Sequence, residues 1–76
     1  MAELDYNIVE YGAKISKTSE KGWSTEINKV SWNGRDAKWE LRPWDSEHTK
    51  CGKGYVFKDE EEMSLLGEFL QEKGFI

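Results

Sequence analysis

The sequence has very few of the residues that usually hold a small domain together. Its 76 residues include one cysteine, Cys51, and one histidine, His48. A single cysteine excludes an internal disulfide, and one Cys with one His cannot form a Cys/His zinc site. A chain this short has a thin core, because the entropy of ordering it nearly cancels the gain from burial. We therefore expect the chain to associate as a homodimer.

Long apolar runs and a basic leader are also missing. The chain has no run of the about 18 apolar residues that a membrane span needs. The first ten residues carry three acids and no Lys or Arg, unlike the start of a signal peptide. With the single cysteine, these features predict a cytoplasmic protein that does not bind membranes.

Aromatic residues, in contrast, are plentiful. Four Trp, three Tyr and three Phe make up 13% of the chain. Disordered segments are poor in aromatics, so the sequence predicts a folded protein. No repeat, linker or low-complexity stretch divides it, which predicts one domain over residues 1–76.

The net charge of −4 is unevenly distributed along the chain. Residues 1–11 carry −3 and residues 59–76 carry −5, whereas residues 12–58 carry ten Lys or Arg against six acids, a net +4. The basic segment also holds all four Trp. Because binding depends on the local field, nucleic acid remains a candidate partner despite the acidic total.

Local patterns predict four strands followed by a helix. Alternating or β-prone residues suggest strands within residues 4–16, 23–32, 37–44 and 54–57. Asn33-Gly34 is a strong hairpin signal between the second and third strands. Asp59 with Glu62 three residues later forms a capping box, and Gly74 is a helix stop. The expected fold is α+β: an antiparallel meander and one C-terminal helix.

A two- or four-residue turn at Asn33-Gly34 determines which side chains share a sheet face. It assigns Val30, Ala37, Trp39 and Leu41 to an apolar face, and Lys29, Ser31, Lys38, Glu40, Arg42 and Trp44 to a basic face. One helix covers one face of a sheet, so the basic face is expected to be exposed. The face on which Trp32 lies is undecided, because strict alternation puts it with Val30 on the apolar face, whereas a bulge would move it to the basic face.

An exposed strand face that combines cations and aromatic rings suits single-stranded nucleic acid, since cations follow phosphates and rings stack on unpaired bases. Two alternatives remain: the Trp rings form the core under a solvated basic surface, or the Trp-rich face binds a protein. No catalytic constellation or phosphate-binding motif is present. We expect a non-enzyme without cofactor, metal or small-molecule substrate.

Three sequence motifs support the hypothesis that the protein binds nucleic acid. They are Val30-Ser31-Trp32-Asn33-Gly34, Leu41-Arg42-Pro43-Trp44-Asp45, and Gly52-Lys53-Gly54-Tyr55-Val56-Phe57 before the helix. In this order and spacing they resemble the DNA-binding domain of the eukaryotic transcriptional coactivator positive cofactor four, and most closely its small bacterial relatives of the YdbC type. Tyr55 and Phe57 depart from the aliphatic residues usual at their positions.

The resemblance implies a curved four-stranded sheet, a dimer formed largely through the helix, and a role in transcription regulation through single-stranded DNA. Because an exposed strand face with cations and rings suits any single strand, RNA is a further expected ligand. The resemblance also implies that Trp32 and Trp44 stack on bases and that Arg42, Lys50 and Lys53 contact phosphates. Our face assignment adds Lys14 and Lys38 to this site. The dimer interface is expected to contain Leu66, Phe69, Leu70 and Phe75.

Overall fold

The computed structural model describes residues 5–76 and contains four strands and one helix. The elements are β1 (Tyr6–Lys14), β2 (Ser24–Trp32), β3 (Lys38–Trp44), β4 (Tyr55–Val56) and α1 (Glu60–Glu72). Each strand pairs antiparallel with the next, giving the sheet order β1-β2-β3-β4. The predicted α+β meander with a C-terminal helix is confirmed. The first expected strand began at residue 4, which lies outside the described residues.

The turn between β2 and β3 is where predicted, but the register that follows it is not. Asn33 and Gly34 both have positive φ, 53° and 75°, and the amide of Arg35 donates to the Trp32 carbonyl at 2.9 Å. This is the tight turn that Asn-Gly favours. Residues 35–37 then lie outside both strands. As a result, the pairing of β3 with β2 is shifted by one residue relative to a hairpin with a two-residue loop at Asn33-Gly34.

That shift reverses the predicted pairing of faces. Val30 pairs with Lys38, and Lys29 pairs with Trp39. Since a shift of one residue moves every side chain to the opposite face, Val30 lies on the same face as Arg42 and Trp44. The assignment of Val30 to the face of Trp39 and Leu41 was therefore wrong, as was that of Lys29 and Ser31 to the face of Arg42. Trp32 lies on the Arg42 face by simple alternation.

The sheet is strongly curved toward this face. Tyr6 pairs with Trp32 and Trp44 pairs with Ser24, at opposite ends of β2. Eight residues of straight strand would span about 26 Å. Nevertheless, the rings of Tyr6 and Trp44 lie 5.1 Å apart between centroids. We call the face that carries Trp32, Arg42 and Trp44 the concave face.

Two irregularities in β1 accompany this curvature. The register with β2 shifts between Ile8 and Glu10 and again between Tyr11 and Ala13. Bulges of this kind bend a strand and increase its twist. At Gly12 a Cβ atom would lie 2.2 Å from the carbonyl oxygen of Ile27, so only glycine fits there.

The concave face holds most of the core, and much of it is polar. In the described part of the chain, the buried apolar residues are Val30, Trp44 and Phe57, and the buried polar ones are Ser24, Glu26, Asn28 and Glu40. Trp44 is 0% exposed, so its expected place on an open surface was wrong. Tyr6, Trp32 and His48 pack around its ring. The curled sheet thus buries the face that sequence alternation assigned to solvent.

The helix is capped as predicted but contributes little to the core. The Asp59 side chain accepts from the Glu62 amide at 3.1 Å, and Gly74 ends the helix with φ of 81°. None of the side chains of α1, which lies wholly within the described residues, is buried. Its apolar face is open, with Leu65 and Phe69 more than half exposed. The expectation that this helix covers a sheet face in its own chain was wrong.

Among residues 5–76, no helix has the length and hydropathy needed to cross a membrane.

Replacing Trp44 with Ala should destabilise the fold by about 3–5 kcal/mol, because the largest fully buried side chain would leave a cavity. Urea denaturation at a fixed protein concentration measures this as a lower midpoint. Trp44→Phe keeps a ring in the cluster and should lose less. An unchanged midpoint for Trp44→Ala would show that the ring is not core.

Candidate nucleic-acid interface

Trp32 is held in a fixed orientation at the end of β2. Its indole Nε1–H donates to Oε2 of Glu40 at 2.9 Å. The ring lies nearly parallel to that of Trp44, with an interplanar angle of 10° and a centroid separation of 6.3 Å, and it contacts Tyr6 at 5.5 Å. Trp32 is only half-buried, so part of this oriented ring remains accessible.

Arg42 lies over the same ring. Its guanidinium carbon is 4.9 Å from the centroid of Trp32, within the range of a cation–π contact. Nε and Nη2 donate to the Glu40 carboxylate at 2.7 and 3.0 Å, and Nη1 donates to the Gly52 carbonyl at 3.0 Å. The hydrogen bonds to Glu40 raise the pKa of Arg42 above its ordinary value. The free phosphate-binding arginine expected from the sequence is thus an ion-paired one.

Next to Trp32 the concave face opens into a cleft of about 440 Å³, which we call the turn cleft. Its lining comprises Val30, Trp32, Arg35, Asp36, Lys38 and Val56. The cleft falls within the range of about 300–1,000 Å³ typical of ligand sites. Arg35 and Lys38 are exposed at its rim, against one acid. An aromatic ring, apolar walls and two cations therefore converge in one cleft.

Arg35 was missed by the sequence reasoning. It directly follows the turn, where a two-residue hairpin would have placed it in β3. The signal available was its position after Asn33-Gly34, because residues next to such a turn lie at the same end of the sheet as Trp32.

The other predicted cations are dispersed. Lys53 is exposed and follows Gly52, whose carbonyl accepts from Arg42. Lys50 lies in the loop after β3, where its amide donates to Asp45. Lys14 pairs in register with Glu26 and lines a separate cleft of about 210 Å³. Of the seven predicted residues, the structure brings Trp32, Arg42 and Lys38 together and buries Trp44 beneath them.

A second polar cluster fastens the loop after β3 to the sheet. His48 Nε2 lies 2.9 and 3.1 Å from the two carboxylate oxygens of Glu26, and the Tyr6 hydroxyl donates to the His48 carbonyl. Asn28 also donates to Glu26 at 2.9 Å. His48 is thus half-buried and anchors its loop over Trp44.

Burial raises the pKa of Glu26, but hydrogen bonds from Asn28 and His48, together with the Coulomb attraction of His48 and Lys14, outweigh it, so the pKa lies below its ordinary value. A carboxyl whose pKa is depressed by folding stabilises the fold above its unfolded pKa. That contribution disappears as the pH falls through the folded value.

Glu26→Gln should therefore be less stable than the wild type at pH 5, with a difference that narrows as the pH falls from about 5 to about 3. Urea midpoints of both proteins across this range provide the measurement. A stability difference that stays constant over the range would show that the ionised carboxylate contributes nothing.

Comparison with known proteins identifies a family. No known family model matches the chain. An uncharacterized protein from Treponema pallidum (strain Nichols) is 42% identical over 63 residues, which cover 83% of this chain and 73% of the relative. The chain belongs to the same family as this Treponema protein. The name of that protein assigns it no activity.

Proposed function

We propose that this protein binds single-stranded nucleic acid without strong sequence preference, through the turn cleft and the ring of Trp32. The main ligand in this proposal is DNA, and RNA is a second ligand. The observation that carries the proposal is the partly open indole of Trp32, oriented by Glu40 and located in a cleft with Arg35 and Lys38 at its rim.

Base stacking provides the attraction in this proposal. Stacking of a base on an aromatic side chain contributes about 1–3 kcal/mol and accepts any base, because every base has a π face. Duplex DNA hides those faces, so it would keep only the Coulomb attraction of its phosphates. The two rim cations supply that attraction in both cases. The interface should therefore favour single strands.

The three motifs that resemble the positive cofactor four domain support the same ligand. On this basis the proposed role is transcription regulation in the cytoplasm, at the bacterial nucleoid, by a protein that is not an enzyme and uses no cofactor. Trp44 is not part of the proposed stacking surface, because it is fully buried.

The proposal includes a homodimer. α1 exposes Phe69 and Leu65, and the residues after it expose Phe75 and Ile76 at 74% and 80%. Together with Leu66 and half-buried Leu70, these side chains form an apolar strip that residues 5–76 of its own chain leave largely uncovered. A second copy would bury this strip, and a thin-cored chain would gain most from that cover.

Trp32→Ala should weaken binding to labelled oligo(dT) by about 1–3 kcal/mol, measured by fluorescence anisotropy at 0.1 M salt. Trp23→Ala is the matched control, because Trp23 precedes the opposite end of β2 and should leave binding unchanged. Circular dichroism checks that both variants fold.

Two results would contradict the proposal. One is equal affinity for oligo(dT) and a duplex of the same length. The other is binding that does not respond to salt, which would favour a protein or peptide as the partner of the aromatic face, because phosphate contacts make binding weaken with salt.

The proposed homodimer is tested by a separate measurement of mass. Light scattering should give about twice the chain mass of 8.9 kDa at micromolar concentration. Phe69→Glu, which places a charge in the apolar strip, should shift the mass toward the monomer, whereas Glu68→Ala next to it should not. A wild-type mass of one chain would rule the dimer out.

A further inference from the structure

The cations around Trp32 differ in how far they are already engaged. Lys38 and Arg35 are exposed on the rim of the turn cleft. Arg42 is half-buried, with 16% of its side chain exposed. Three of its nitrogens already donate to Glu40 or to Gly52. Its charge is therefore paired and largely desolvated before any ligand arrives.

Glu40 connects Arg42 to the stacking ring. Only 1% of Glu40 is exposed, and its carboxylate accepts from both Trp32 and Arg42. Such a buried charge is stable only if its hydrogen bonds are filled, so three donors on one carboxylate form a tightly defined unit. The same unit holds the planar guanidinium over the indole. Arg42 and Glu40 thus fix the ring from two sides.

We infer that Arg42 and Glu40 are positioning residues for Trp32 and that Arg42 does not contact phosphate. This inference rests on the proposed function and specifies its chemistry: the ligand is recognised at Trp32 through a base, and its phosphates are met by Lys38 and Arg35. The assignment reverses the phosphate role expected for Arg42 from the sequence.

Two substitutions of Arg42, to Lys and to Met, distinguish a positioning role from a phosphate contact. A phosphate contact needs a point charge, which Lys retains. Positioning of Trp32 needs the planar guanidinium group, which pairs with Glu40 and lies over the indole. Lys has no such group. Arg42→Lys should therefore behave like Arg42→Met, and both should weaken binding to oligo(dT) about two- to fivefold, as expected for loss of a cation–π contact.

Salt dependence supplies the decisive readout. The slope of log affinity against log salt changes by about 0.7 for each phosphate contact with a single strand. Lys38→Met should reduce the slope by about that amount, whereas Arg42→Met should lower affinity and leave the slope unchanged. A slope reduced by about 0.7 in Arg42→Met, with full affinity retained in Arg42→Lys, would overturn the inference.

A measurement on the free protein separates this inference from the proposed function. In a ¹H–¹⁵N spectrum, Arg42→Lys should move the indole N–H resonance of Trp32, identified with Trp32→Phe, and leave that of Trp23 in place. A wild type that fails to bind oligo(dT) would refute the proposed function, while the Trp32 resonance would still test the positioning. An unmoved Trp32 resonance would refute the positioning even if binding is observed.

Discussion

The buried carboxylate of Glu40 is the interaction on which the concave face depends. It accepts hydrogen bonds from the indole of Trp32 and from two nitrogens of Arg42, the longest of them 3.0 Å. Removing a carboxylate from water is costly unless its oxygens are filled, so this arrangement tolerates little displacement of its donors. It connects the end of β2 to the middle of β3 across a curved sheet. The part of the Trp32 ring that remains accessible is consequently held in a defined orientation.

The curvature of the sheet explains why so small a chain has a core without help from its helix. The aromatic cluster of Tyr6, Trp32 and Trp44 forms where the two ends of the sheet approach each other. The bulges in β1 and the close approach at Gly12 accommodate that bend. The helix is left with an apolar strip exposed, which is the physical reason to propose a second copy as its cover.

Much of the fold follows from local sequence signals. The Asn33-Gly34 turn, the Asp59 cap and the four strand segments are each determined by neighbouring residues, and all were predicted. The faces were not, because they depend on one additional residue between the turn and β3, and turn chemistry does not reveal it. Because side chains alternate between the two faces of a strand, that single residue reverses the face predicted for every side chain on β2 relative to β3.

The candidate site was partly predictable for the same reason. Trp32 was identified from its motif and Lys38 from strand alternation, and both line one cleft. The burial of Trp44 depends on curvature, and the pairing of Arg42 depends on Glu40, which looked like one polar residue among others in an alternating strand. Long-range closure of the sheet decides the burial of Trp44, and no local pattern encodes it. Arg42 and Glu40, in contrast, lie two residues apart on the same face of β3, so their pairing is a local contact.

The central claim is that the ring of Trp32 stacks on an unpaired base, and titration of the ¹⁵N-labelled protein with oligo(dT) tests it most directly. Each of the four tryptophans gives its own indole N–H resonance, so the spectrum reports which ring meets the ligand. We expect a large, saturable shift for Trp32 and little change for Trp23. Saturable binding in which the Trp32 resonance stays in place would contradict it.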